Sequence, residues 1–143
     1  MERNYFMILT LILAGIFATS CQEEEQEPKD TATLLTAHKW QLVEESGLNL
    51  PKESLGDNII ELKNDGGLVY YEQEDDAENV FQENKWTLSD DEKKIIEILP
   101  DDSKNESEIV EINDKTLKIR YTEANPGGEL MTVIETYRKF SKQ

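Results

Sequence analysis

Asn58-Ile-Ile60-Glu-Leu62-Lys63-Asn64-Asp65-Gly66-Gly67-Leu68-Val-Tyr70-Tyr-Glu-Gln73 decides the fold. Its two halves are rich in β-branched and aromatic residues, with apolar side chains at alternate positions, as in strands with one buried face. Between them, Asn64-Asp65-Gly66-Gly67 is the strongest turn in the chain, because glycine supplies the positive φ that a tight hairpin needs. The stretch is therefore a β-hairpin, and the same pattern recurs on both sides of it.

Upstream, Trp40 and Leu42 alternate in His38-Lys-Trp40-Gln-Leu42-Val-Glu-Glu45, a strand. From Ser46 to Gly56 the chain is punctuated by Gly and Pro and reads as a loop, with a helical turn after Pro51. Downstream, Glu74 to Asn79 reads as an acidic loop that Val80 and Phe81 extend or cap. Strands follow at Asn84–Ser89, with Trp86 and Leu88 on one face, and at Lys94–Leu99. Pro100 to Glu106 reads as a polar loop, and the strands Glu108–Ile112 and Thr116–Tyr121 flank a hairpin-sized gap. After the turn Asn125-Pro126-Gly127-Gly128, the run from Glu129 to Phe140 offers two apolar sides, Met131/Val133/Tyr137 and Leu130/Ile134/Phe140. A bulge or two covered faces would reconcile them.

The count is eight short strands on hairpin-length loops with no long helix. This is an all-β domain over residues 34–143, an eight-stranded antiparallel up-and-down barrel or a strongly curved meander sheet. A meander escapes exposed edges by closing on itself, and eight strands enclose an interior that side chains fill or that holds one small ligand.

Several of these segments resemble the bacterial lipocalin-like domains: Trp40-Gln-Leu42 opening the domain, Leu62-Lys-Asn-Asp65-Gly66, Lys85-Trp86-Thr-Leu88-Ser-Asp-Asp91, and Ile109-Val-Glu-Ile-Asn-Asp114-Lys-Thr-Leu117. The resemblance covers Leu34 to Phe140 and implies a small secreted or lipid-anchored barrel. Lipocalins carry Gly-x-Trp on their first strand, and here Ala37-His38-Lys39 precede Trp40, without the glycine.

The chain ahead of the domain has its own logic. Tyr5 to Ala18 is an apolar run, shorter than the ~20 residues that span a bilayer, preceded by Arg3 and followed by small residues. Thr19-Ser20-Cys21 closes it, and Cys21 is the only cysteine. The arrangement resembles the lipobox of bacterial lipoproteins, although Ala18 stands where that family prefers Leu. The resemblance implies a signal peptide over residues 1–20, cleavage between Ser20 and Cys21, and acyl chains on Cys21 that bind the membrane. Each buried methylene contributes about 0.8 kcal/mol, so several chains anchor firmly. Residues 21–33, with Glu23-Glu24-Glu25, read as a disordered acidic tether. Acids directly after the cysteine resemble the export signal of Bacteroidota-type lipoproteins, which implies the outer membrane and its cell-surface face. Asp30-Thr31-Ala32 resembles that group's O-glycosylation motif.

Charge narrows the partners. The 31 acids and 15 Lys and Arg leave a net charge of −16, and residues 1–20 hold one acid and one base, so the whole excess belongs to the remainder. Such a field repels nucleic acid and anionic lipid and favours cationic partners.

Chemical motifs are few. Asp101-Asp-Ser103-Lys-Asn105 begins like a calcium loop, but Glu106 replaces the required Gly and Ile112 the closing Glu, so a solvated loop is the reading. Asp75/Asp76 and Asp90/Asp91 read as turn residues. Asn105-Glu106-Ser107 is a glycosylation triplet that a bacterial lipoprotein rarely uses. His38, the one histidine, lacks companion metal ligands and no nucleophile elbow appears; it reads as a surface residue at a strand start. Trp40 and Trp86 are core aromatics or ligand-stacking ones.

The expectation is a non-enzymatic binding module of the cell envelope, without cofactor, metal or nucleic acid, holding a small apolar or amphipathic ligand or a protein partner. The alternatives are an inert scaffold with a filled barrel and an acid-dependent hydrolase or isomerase using Asp75, Asp76 or Asp101.

Overall fold

Among the described residues, eight strands follow in chain order: β1 (Lys39–Ser46), β2 (Asn58–Leu62), β3 (Gly67–Glu74), β4 (Ala77–Leu88), β5 (Lys94–Ile98), β6 (Lys104–Ile112), β7 (Thr116–Ala124) and β8 (Leu130–Lys139). They come from a computed structural model that describes residues 29–49, 51–74 and 77–141. Each strand pairs antiparallel with the next, and β8 pairs back onto β1, which closes an up-and-down barrel. Two short helices accompany it, α1 (Thr31–Thr36) and α2 (Lys52–Leu55). Residues 1–28, and with them Ser20 and Cys21, lie outside the described residues.

The β2–β3 hairpin has the expected register, Leu62 opposite Leu68 and Ile60 opposite Tyr70. Gly66 takes φ +86° in the turn, and the Asp65 carboxylate accepts from the Gly67 amide at 2.9 Å. Both strands have an inner face, Ile60, Leu62 and Leu68, that joins the core. Ile59 and Val69 on the outer face are buried too, on the side where Lys39 lies 3.9 Å above the Tyr71 ring and pairs with Glu78.

Three strands run further than the sequence indicates. β4 begins at Ala77, so Glu78 and Asn79 pair with Gln73 and Glu72 instead of forming an acidic loop. β6 begins at Lys104, and Lys104 to Ser107 pair with Ile98 to Ile95 in what reads as a polar loop. β7 continues to Ala124. The added pieces of β6 and β7 border an internal cavity, so their inward positions need not be apolar and the alternation that marks a strand is missing there. Residues 31–33, assigned to the tether by sequence, are the first half of α1, whose N-terminus Asp30 caps by accepting from the Thr33 amide at 2.7 Å.

Bulges settle the phase of the strands. Registers slip between Leu42 and Glu44, between Tyr70 and Tyr71 against β4, and between Ile109 and Glu111. The extra residues at these slips are Val43, Phe81 and Val110, all exposed. A bulge lets Ile109 and Ile112, three apart, both pack on the core. On β8 the inner side is Met131, Val133, Glu135 and Tyr137, while Leu130 is 73% exposed.

One end of the barrel is sealed. Trp40, Leu35 and Leu117 are completely buried there, and the Trp40 indole Nε1 donates to the Leu35 carbonyl at 2.9 Å, tying α1 over the opening. Trp86 is half-buried against the same core and donates through Nε1 to the Lys63 carbonyl at 3.0 Å. His38 sits edge-on to Trp40 with ring centroids 5.8 Å apart, half-buried instead of on the surface, and burial is the first cause of its lowered pKa.

Truncating a fully buried Trp removes a large apolar payload, so Trp40→Ala is expected to destabilise by about 3–5 kcal/mol. Trp86→Ala, at a half-buried site, is expected to cost less. Urea unfolding of both variants checks the order, and equal losses would contradict this account of the sealed end.

Candidate ligand-binding cavity

Above the core, a cavity of about 530 Å³ lies between β2, β3 and β5 to β8. Its inner wall is aliphatic: Ile60, Leu62, Leu68, Ile95 and Ile119. Toward the β5–β6 and β7–β8 hairpins it is bordered by Lys104, Glu106, Thr122 and Glu123. The cavity thus lies at the end of the barrel opposite Trp40.

Two carboxylates face into this space. Glu97 follows Ile95 in the inward phase of β5, and Glu135 lies between Val133 and Tyr137 in the inward phase of β8. Glu97 Oε1 accepts from Tyr70 Oη at 2.7 Å and from Asn84 Nδ2 at 2.6 Å, and its Oε2 accepts from Asn105 Nδ2 at 3.3 Å. Glu135 Oε1 accepts from Tyr121 Oη at 3.1 Å and its Oε2 from Tyr137 Oη at 2.7 Å. Asn84 is only 8% exposed, and its own Oδ1 has no hydrogen-bond partner among the described residues.

Electrostatics follow from burial. Burial raises the Glu135 pKa, outweighing the two phenol hydrogen bonds that lower it, and the nearby charges of Glu45 and Glu123 push the same way. Burial, reinforced by the adjoining carboxylates, also raises the phenols of Tyr70, Tyr121 and Tyr137, which therefore stay protonated and donate. Glu45 enters this neighbourhood because the bulge at Val43 sets it opposite Glu135 on the inner side.

The residues singled out by sequence fall elsewhere. Trp40 and Trp86 belong to the sealed end and are not among the residues that line the cavity. Asp101 caps a tight turn, accepting from the Ser103 amide at 3.0 Å and its hydroxyl at 2.5 Å. Those bonds lower its pKa, opposite to what an acid catalyst needs. Asp75 and Asp76 lie outside the described residues. Among the described residues, no cluster of three or more His, Cys, Asp or Glu is arranged to hold a metal ion.

Sequence reading missed Glu97, Glu135 and their tyrosines. A signal was present, since both acids occupy the inward phase of strands whose neighbours in that phase are apolar, Ile95 before Glu97 and Val133 before Glu135.

Residues 36–119, more than half of the chain, match the sequence profile of the lipocalin-like domain family. The chain belongs to that family. Among solved structures, this lipocalin-like chain is similar to bovine odorant-binding protein in complex with undecanal, at 16% identity and TM-score 0.48, over 84% of this chain and 79% of that one. It is likewise similar to the odorant-binding protein from bovine nasal mucosa, at 15% identity and TM-score 0.48, over 83% and 79%. No curated protein matches the sequence.

A raised carboxyl in the lipocalin-like barrel has a consequence for stability. The folded state keeps the Glu135 proton over a pH window in which the unfolded chain has lost it. Burial of the charge is therefore costless below the unfolded value, and its cost grows as pH rises from the ordinary Glu range through the folded value. Glu135→Gln, which removes the charge but keeps only one of the two acceptor oxygens, is expected to gain melting temperature relative to the parent as pH rises above the ordinary Glu range. Thermal melts of both proteins across that rise check it, and a difference independent of pH would contradict it.

Proposed function

We propose that this protein is a non-enzymatic binding module of the cell envelope, a lipid-anchored lipocalin-like barrel that holds one small amphipathic molecule in its cavity. The observation that carries the reading is the cavity of about 530 Å³, with aliphatic residues at its base and convergent tyrosines and carboxylates on its wall. Small-molecule sites commonly have volumes of about 300–1,000 Å³ and this pairing of an apolar lining with a few placed polar groups. It favours a ligand over an inert filled scaffold. The anchor rests on the apolar run before Cys21, and placement in the outer membrane, facing outward, on Glu23-Glu24-Glu25.

An uncharged apolar fluorophore whose emission rises on leaving water is expected to bind the full chain at one site. Ile119→Trp, which fills the base of the cavity, is expected to weaken that binding at least tenfold while the far-UV β spectrum persists. Unchanged affinity in that variant would place the fluorophore elsewhere and contradict the reading. Cys21→Ala is expected to release the protein from the membrane fraction, and undiminished membrane association would remove the anchor.

A further inference from the structure

We infer that, given the reading of the barrel as a ligand site, its occupant is a cationic amphiphile: an apolar chain or ring bearing a protonated amine that sits between Glu97 and Glu135. The hydrogen bonds of the wall run one way. Tyr70, Asn84 and Asn105 all donate into Glu97, and Tyr121 and Tyr137 both donate into Glu135. The phenol protons nearest the aliphatic base are thus already used, and what the wall offers a ligand there is acceptor lone pairs. A carboxylate ligand such as a fatty acid meets no spare phenol donor beside those two carboxyl groups, whereas an ammonium brings the donors that the wall lacks.

Charge points the same way. The partners of Glu97 and Glu135 are neutral, and none of the ion pairs among the described residues involves either one. Neutral donors orient a carboxylate without cancelling its charge, and a buried charge is costly until it is paired. Glu123 adds a further acid to the lining, while Glu106 beside it is paired with Lys94 at 2.8 Å and the single lining base, Lys104, is exposed at the rim. Three lining tyrosines supply aromatic surface, which attracts cations.

A second and independent feature adjoins Glu97. Asn84 is more than nine-tenths buried, its amide nitrogen is turned onto that carboxylate, and its Oδ1 accepts nothing. Buried acceptors are normally satisfied, and this unsatisfied one belongs to a side chain that holds Glu97 from behind the cavity wall.

The test uses three probes that share one chain: decylammonium, decanol and decanoate, titrated calorimetrically into the full chain below their micelle concentrations. Decylammonium is expected to bind one to one and at least about tenfold more tightly than decanol, with decanoate weakest. Glu97→Gln and Glu135→Gln are each expected to bring the ratio of decylammonium to decanol affinity toward one. Asp90→Asn, in an exposed turn at the sealed end, is expected to leave that ratio alone. Decanol binding as tightly as decylammonium, or decanoate binding tightest, overturns the inference and leaves the cavity reading standing. A ratio that survives both glutamate substitutions, or falls equally with Asp90→Asn, assigns the preference to general surface charge and also overturns it. Failure of all three probes to bind removes the cavity reading and the inference with it.

Discussion

Pairing of β1 with β8 closes the sheet, and the sealed end and the cavity both depend on that closure. Without it, two strands would present unpaired amides and carbonyls to solvent, and the inward faces would have no opposing wall. The seam is close: Gly47 adopts φ +122°, and a Cβ there would come within 2.7 Å of the Thr132 carbonyl oxygen. It is also where the interior changes character. Before the bulge at Val43, β1 sends Trp40 and Leu42 inward, and Leu42 lies opposite Tyr137; after it, Glu45 lies opposite Glu135. One slip in register thus separates a dry end from a polar one.

The two ends represent different solutions to burial. At the sealed end the polar atoms are few and satisfied locally, as the Trp40 and Trp86 indoles are by backbone carbonyls. At the open end, carboxylates are drawn into the barrel and held by phenols, and burial raises the Glu135 pKa against the pull of those hydrogen bonds. A sequence selected for stability alone would place aliphatic residues at these inward positions, since a buried charge without a counter-charge costs free energy. Departure from the ordinary pattern at one end of an otherwise consistent barrel is the kind of local conflict that functional sites show.

The eight strands were legible because each crosses the sealed half, where inward positions are apolar and alternation is visible, as in Ile60/Leu62 and Trp86/Leu88. The meander order followed from turn chemistry at Asn64–Gly67 and Asn125–Gly128, and a barrel or a strongly curved sheet were both compatible with it until the pairing of β1 with β8 decided for closure. What the sequence hid is what depends on three dimensions. The polar halves of β6 and β7 border the cavity and carry Asn105, Ser107 and Glu123 where a core would carry aliphatics, so they read as loops or as strand ends. Bulges shift phase by one residue and look like lost periodicity. The Tyr–Glu pairs join residues 27 and 14 positions apart, Tyr70 with Glu97 and Tyr121 with Glu135, a proximity that only the register creates. Helix α1 was hidden where the tether was taken to end, at residues 31–33, because what holds it is the opening it covers.

The central claim is that the barrel interior is an open, acidic site for a cation with an apolar body. A crystal structure of the full chain saturated with 10-bromodecylammonium tests it most directly, because the bromine marks the chain end by anomalous scattering. The account predicts one bromine peak among Ile60, Leu68 and Ile119, with the ammonium within hydrogen-bonding distance of Glu97 and Glu135. A bromine peak only on the outer surface, or an interior closed by side chains, would contradict it.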